Sequence, residues 1–154
     1  MDQDATAEYL KHADHLLRFA SAVAGPSSAD DIVAAVVMRV LVENDLWRSV
    51  RDVRAYLVRS VMNEAIDRQR RRTRRRRREQ RDAAPASMSS YDSYVRSEVL
   101  DAVGRLSARQ RAVVYLTYWL DRSASEVATE LDVSVRTVER ELTVARRELE
   151  VLLR

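Results

Sequence analysis

Residues 123–154 read SASEVATELDVSVRTVERELTVARRELEVLLR, and their punctuation is that of two helices joined by a tight turn. Ser123 followed by Glu126 forms a capping box, in which each side chain satisfies the other residue's orphan backbone N–H. Val127, Ala128 and Leu131 then mark the inner face of a short helix, and Asp132 and Val133 supply the turn. Ser134 caps a longer helix that carries Val135, Val138, Leu142 and Ala145 inward. The spacing suits a helix-turn-helix: the short helix braces across a nucleic-acid backbone while the second presents its first outward residues to base edges in the major groove. Those residues are Arg136, Thr137, Glu139, Arg140 and Thr143, next to the capping Ser134. Arg136 and Arg140 are four apart on one face, in reach of guanine edges or phosphates. The plainer alternative is a helical hairpin with a solvated charged face; it requires the paired caps and the tight turn to be coincidences.

Working outward, Ser107 begins a second capping box with Gln110, and Val113, Leu116, Thr117 and Leu120 lie on that helix's inner face. Before it, Val95, Val99, Ala102, Val103 and Leu106 mark another helix. Residues 82–93 (DAAPASMSSYDS) are small, polar and broken by Pro85, the composition of an interdomain linker. In the N-terminal half, Tyr9, Leu10, Ala13, Leu16, Leu17 and Ala20 form an amphipathic stripe that Gly25 and Pro26 end. Ser28 is placed to cap a second helix running to about Glu43, with Asp30 and Asp31 in its first turn. A polar loop, residues 44–51, leads to a third helix bearing Val53, Tyr56, Leu57, Ser60, Val61 and Ala65 on one face. That helix runs into an arginine tract whose first turns should extend it until mutual repulsion frays it. The expected fold is all-α: a helical domain over 1–81, a flexible linker over 82–93, and a helix-turn-helix domain over 94–154.

Composition agrees. Among 154 residues, 46% hydrophobic, there are only two Gly and two Pro, too few reversals for a sheet. The absence of Cys excludes disulfides, thiolate metal sites and cysteine nucleophiles. No apolar run approaches the ~20 residues of a membrane span, and the acidic start (Asp2, Asp4) is unlike a signal peptide, so a cytoplasmic location is expected. The net charge of +3 conceals an asymmetry: residues 68–81 (RQRRRTRRRRREQR) carry +9, leaving −6 on the rest. One basic stripe on an acidic body suits a polyanion met along one side, with affinity that falls steeply as salt rises; a solvated charge run is the plain alternative, and an acidic partner could also occupy it. His12 and His15 flank Asp14, but no third ligand is evident, so both are expected on the solvent side of the first helix and no metal or other cofactor is expected. Neither a catalytic triad, a glycine-rich phosphate loop nor a carboxylate pair stands out, which argues against an enzyme.

Two long stretches resemble extracytoplasmic-function sigma factors. LSARQRAVVYLTYWL with EVATELDVSVRTVERELTVARREL is similar to that family's C-terminal domain, and DDIVAAVVMRVL with VRAYLVRSVMNEAIDRQRRR to its promoter-melting domain. The resemblance implies core RNA polymerase and promoter DNA as partners. The helix-turn-helix would read the −35 element as duplex, while the N-terminal domain binds the polymerase clamp and captures the opened −10 strand. Carried across, Asn63, Asp67 and Arg68 fall on the strand-facing helix, followed by Arg71 and Arg72. Trp47 falls in the loop that receives a flipped base, where a stacking platform and a half-buried core indole are equally open; Tyr56 is assigned to packing. Asp31, Ala34, Ala35 and Arg39 fall on the polymerase-binding helix. Family members are commonly silenced by an anti-sigma factor, and a monomer is expected when free. Departures from the family's pattern are Ala34 and Ala35 in place of Gln and Glu, Glu139 and Glu141 where basic residues are frequent, and Asp132 in place of Gly. The first departure keeps open a second reading, a helix-turn-helix regulator that has lost polymerase binding.

Overall fold

The computed structural model describes residues 3–43, 45–82 and 94–154, and the described elements are all helical. Asn44 and residues 83–93, which hold nearly all of the expected linker, lie outside the described residues, as does the side chain of Val95. The order is α1 (Gln3–Ala24), α2 (Pro26–Val37), a 3-10 turn (Asp45–Ser49), α3 (Val53–Asp82), α4 (Tyr94–Arg105), α5 (Ala108–Val114), α6 (Ala124–Leu131) and α7 (Val135–Leu152). α2 and α5 each end in a wider π turn, Met38–Val42 and Tyr115–Trp119. There the N–H of Glu43 reaches Met38 O, and that of Leu120 reaches Tyr115 O, five residues back.

Local chemistry accounts for the boundaries. Gly25, at φ 90°, ends α1, and its N–H bonds Ser21 O at 2.9 Å. Pro26 then opens α2 at once, its fixed φ being already helical. Ser28 is therefore inside α2 and does not cap it: Gly25 is the cap residue, no side chain makes the capping bond, and Asp30 and Asp31 fall past the first turn. Asp52 caps α3, its Oδ1 accepting from Ala55 N at 3.0 Å. α3 stays helical through the whole arginine tract to Asp82, further than the expected fraying allowed. Arginine is a good helix former, and the tract's described side chains from Arg70 on are exposed, where water screens their repulsion.

Three residues assigned to buried stripes are exposed: Leu10, Val99 and Val135. On α1 the buried residues are Ala5, Leu16, Phe19, Ala20 and Val23, and Leu10 projects about a third of a turn from their line. Val135 is the first residue of α7, and among the described side chains of α4 Ala102 is buried, with Leu106 just past its end.

The two halves are packed on each other, and one apolar cluster runs through both. α1 and α3 lie against α5, and α3 also lies against α6. Phe19 of α1 meets Tyr115 edge to face, ring centroids 6.1 Å apart. The polar contacts across this seam are specific. Gln69 Oε1 accepts from Ala108 N at 2.9 Å. Arg111, half-buried and without a carboxylate partner among the described residues, donates to Val23 O (3.0 Å), Gly104 O (2.6 Å) and Leu106 O (3.1 Å). It thus neutralises the carbonyl-rich ends of α1 and α4 together. Burial, with the nearby charge of Arg72, lowers its pKa.

Glu130 is the buried acid of the seam. One carboxylate oxygen lies 3.4 Å from Arg54 Nη2, an ion pair, and 3.7 Å from His15 Nε2, and neither contact is a well-formed hydrogen bond. His15 is thus turned into the interface, and His12 bonds Glu8 at 3.0 Å, so neither lies on the solvent side as expected. Burial pushes the Glu130 carboxyl up, but His15, Arg54 and Arg122 outweigh it and hold it below the usual carboxylate range. A carboxyl depressed on folding stabilises above its unfolded pKa, and that contribution disappears as pH falls through the folded value. The docked arrangement should accordingly loosen on acidification below about pH 4.5. Thermal melts and small-angle scattering across the acid range should show Glu130→Gln with a shallower acid limb than the unsubstituted chain, and with lower stability at neutral pH by about 1–2 kcal/mol.

Candidate nucleic-acid interface

The C-terminal hairpin is built as its sequence punctuation requires. Ser123 and Glu126 form the reciprocal capping box, with Ser123 N to Glu126 Oε2 at 2.7 Å and Glu126 N to Ser123 Oγ at 3.2 Å. Ser107 and Gln110 repeat it at the start of α5, at 2.8 and 3.1 Å. Asp132 turns the chain in the left-handed region at φ 54°, and Val133 N closes the turn on Ala128 O at 3.0 Å. Ser134 Oγ then accepts from Thr137 N at 3.0 Å and starts α7. Val138, Leu142 and Ala145 are buried against the rest of the domain, which fixes the rotation of α7 and turns Arg136, Glu139, Arg140 and Thr143 to solvent with Thr137 half-exposed. Thr137 Oγ1 also shares a hydrogen bond with Ser134 Oγ at 2.8 Å. Arg140 leans toward Glu141 at 3.4 Å, while Arg136 has no carboxylate partner among the described residues.

In the N-terminal half the exposed arc of α3 carries Asn63, Asp67 and Arg71. Between them and the core lies Glu64, buried, the organising acid of this region. Arg39 Nη1 donates to it at 3.1 Å and Arg68 Nε at 2.8 Å, with Arg71 Nη2 at 3.6 Å. Its burial raises the carboxyl, and the bonds from Arg68 and Arg39 more than reverse this, leaving it ionised below the usual range. Arg39, assigned to the polymerase-binding group, therefore also ties the π turn after α2 to α3. Arg72 departs from the Asn63–Asp67–Arg71 arc: about 100° per residue turns it toward α5, where it lines a crevice with Gln69 and Arg111.

Trp47 is 6% exposed, its ring covered by the Arg48 guanidinium at 4.7 Å. It is part of the core in this conformation and presents no open stacking face, which is the packing side of the two possibilities. Asp31, Ala34, Met38, Arg39 and Val42 line an exposed face of α2 and its π turn, with Ala35 half-buried beside them. No group of three or more metal-ligating side chains occurs among the described residues. Glu64, Glu130 and Arg111 were not foreseen from the sequence.

Residues 9–75 match the family described as Sigma-70 region 2, and residues 96–149 match Sigma-70, region 4. The chain is also 28% identical to the ECF RNA polymerase sigma factor SigL of Mycobacterium tuberculosis, over 96% of its own length and 87% of that protein's. The chain belongs to the sigma-70 family, as an ECF sigma factor. Two solved structures share its fold. RpoE in complex with the anti-sigma factor NepR, from Bartonella quintana, aligns with a TM-score of 0.69 at 22% identity, covering 99% of this chain and 98% of that one. CnrH in complex with the cytosolic domain of CnrY aligns at 0.60 and 23% identity, covering 97% and 86%.

In this sigma factor the turn position that the family commonly gives to glycine is Asp132, and its φ of 54° explains why an aspartate serves there: its short polar side chain tolerates the left-handed region better than most. Asp132→Gly should leave stability within about 0.5 kcal/mol of the parent or raise it, whereas Asp132→Val should cost about 1–2 kcal/mol. Urea unfolding of the full chain measures both.

Proposed function

We propose that this ECF sigma factor directs core RNA polymerase to promoters by dividing recognition between α7 and α3. Arg136, Thr137, Glu139, Arg140 and Thr143, with Ser134 at the cap, read the −35 element as duplex. The arc of Asn63, Asp67 and Arg71 on α3, with Arg68 behind it, receives the −10 strand. The observation that carries the reading is the geometry of α6 and α7: the reciprocal Ser123–Glu126 cap, the left-handed turn at Asp132 and the Ser134 cap hold a long helix whose outward residues Arg136, Glu139 and Arg140 are exposed. Such a helix start is what enters a major groove. Glu139 in that face can accept from cytosine N4, so it favours altered base preference over weaker binding. The domain limits follow the same division: 1–81 for clamp and −10 contacts, 94–154 for the −35 contact, and 82–93 as the connection between them.

The exposed face of α2, Asp31 with Ala34, Ala35 and Arg39, is the surface for the polymerase clamp. The protein acts by binding rather than by catalysis, and it works in the cytoplasm beside polymerase; among the described residues no helix is long and apolar enough to cross a membrane. An anti-sigma factor holds it inactive. Support for that step is the likeness in fold to two sigma factors solved with NepR and with the cytosolic domain of CnrY. The second reading, a DNA-binding regulator without polymerase affinity, is favoured by one observation: Ala34 and Ala35 give the α2 face nothing to hydrogen-bond with.

Reconstituted transcription decides between them. The purified chain added to core polymerase should yield promoter-specific transcripts and co-purify with polymerase at ordinary salt. DNA binding without polymerase association would establish the second reading instead. Ala34→Gln with Ala35→Glu should raise activity if those positions limit clamp affinity. Arg136→Ala and Arg140→Ala should each weaken binding of a cognate −35 duplex by about 1–3 kcal/mol where they contact a base.

A further inference from the structure

The arginine tract is only partly used by the −10 surface. α3 continues from residue 75, where the region 2 match ends, to Asp82. Taken at about 100° per residue, Arg70, Arg74, Arg77 and Arg78 fall on the same arc as Asn63 and Asp67 and prolong it along the helix. All four side chains are exposed. None has a carboxylate partner among the described residues; the tract's one acid, Glu79, lies on the other side of the helix and is bound to Arg75 at 3.0 Å. By contrast, Arg68 and Arg71 are drawn back to Glu64, and Arg72 faces α5. Along this arc, then, Arg70, Arg74, Arg77 and Arg78 form a row without carboxylate partners among the described residues, whereas Arg68, Arg71 and Arg75 are each held near a carboxylate.

We infer that this free row, Arg70, Arg74, Arg77 and Arg78, is an anchor for double-stranded DNA that binds phosphates without reading sequence. It continues, along α3, the arc proposed for the −10 strand, uses none of that arc's residues, and lies apart from the reading face of α7. A row of unpaired guanidinium groups on a rigid helix is suited to phosphate oxygens. From Arg70 to Arg78 the helix rises about 12 Å, and a duplex offers one phosphate per roughly 1.7 Å of its axis, so every arginine in the row can find one. The choice of duplex over single strand rests on what the row lacks. Residues 57–90 contain no Phe, Trp, Tyr or His, and binding of unpaired strands draws about 1–3 kcal/mol per base from aromatic stacking. With no stacking platform, attraction depends on charge density alone, which is higher in the duplex.

The test uses the full chain without polymerase and a labelled duplex that contains no promoter, so its outcome is independent of promoter recognition. Binding is followed by fluorescence anisotropy as salt is raised. Replacing the four arginines with Gln should make the slope of log K against log salt shallower by about 3 to 4, near 0.9 per lost phosphate contact, with at least a tenfold loss of affinity at low salt. Gln keeps good helix propensity, and circular dichroism checks that α3 persists. The matching four-Lys variant retains the charges and should keep the parental slope. The inference is overturned by a slope unchanged in the Gln variant, by a Lys variant that loses binding as the Gln variant does, by a single strand of equal length binding as tightly as the duplex, or by polyglutamate competing as well as duplex.

Discussion

A helix has one circumference, and α3 is asked to use all of it. Leu57, Val58, Val61 and Ala65 on one arc close the N-terminal core. Arg54 and Gln69 on the same side reach Glu130 and Ala108 of the C-terminal half. The opposite arc, from Asn63 onward, is left to solvent. Because side chains on a helix keep fixed angular relations, no residue can be moved from one duty to another without rotating all of them. Glu64 fixes that rotation. Buried between the packed and the open arc, it holds Arg39 from the end of α2 and Arg68 from the next turn of α3. Removing one partner of a buried charge leaves the other unpaired, so such a residue specifies an arrangement more than it adds net stability.

The seam between the two halves has a different character. Its apolar part is continuous with both cores, but its polar part is carried by a few residues whose partners are distant in sequence: Glu130 with His15 and Arg54, Arg111 with Val23 O, Gln69 with Ala108 N. Contacts between domains of one chain are typically more polar than those within a core, and relative motion is the ordinary consequence. Under the proposed division of recognition between α7 and α3, the chain needs a seam that can part. A few polar contacts to one buried carboxylate suit that better than a sealed apolar face.

Legibility in the sequence follows the range of the interactions. The caps at Ser107, Ser123 and Ser134 and the turn at Asp132 were readable because each partner lies within three to five residues. The helical class and the outward set on α7 followed from them. Ser28 was misread as a cap because Gly25 and Pro26 already start α2 and need no side chain to do so. Leu10, Val99 and Val135 were placed inward by periodicity, which states the phase of a stripe but not how far along the helix a neighbour covers it. Glu130 and Arg111 were invisible for a stronger reason: a charged residue is expected outside, and only the docking of one half on the other supplies the groups that permit it inside. Trp47 was left open between base platform and core, and its burial turns on packing that no local pattern encodes.

The distribution of charge between the two helices proposed to face DNA bears on how affinity and selectivity would be apportioned. α7 carries four arginines and four glutamates, so it has no net charge with which to attract phosphate. Glu141 also engages Arg140. A helix so balanced binds well only where its donors and acceptors meet matching base edges, because mismatched partners leave charged groups desolvated and unpaired. The end of α3 is the reverse: from Arg70 on, arginine far outnumbers the two acids, Glu79 and Asp82. Non-selective attraction on α3, as inferred above, would relieve α7 of supplying it. Selectivity then survives changes in salt that alter overall affinity, since raising salt weakens counterion release at the arginine row far more than it weakens the hydrogen bonds by which a neutral helix discriminates.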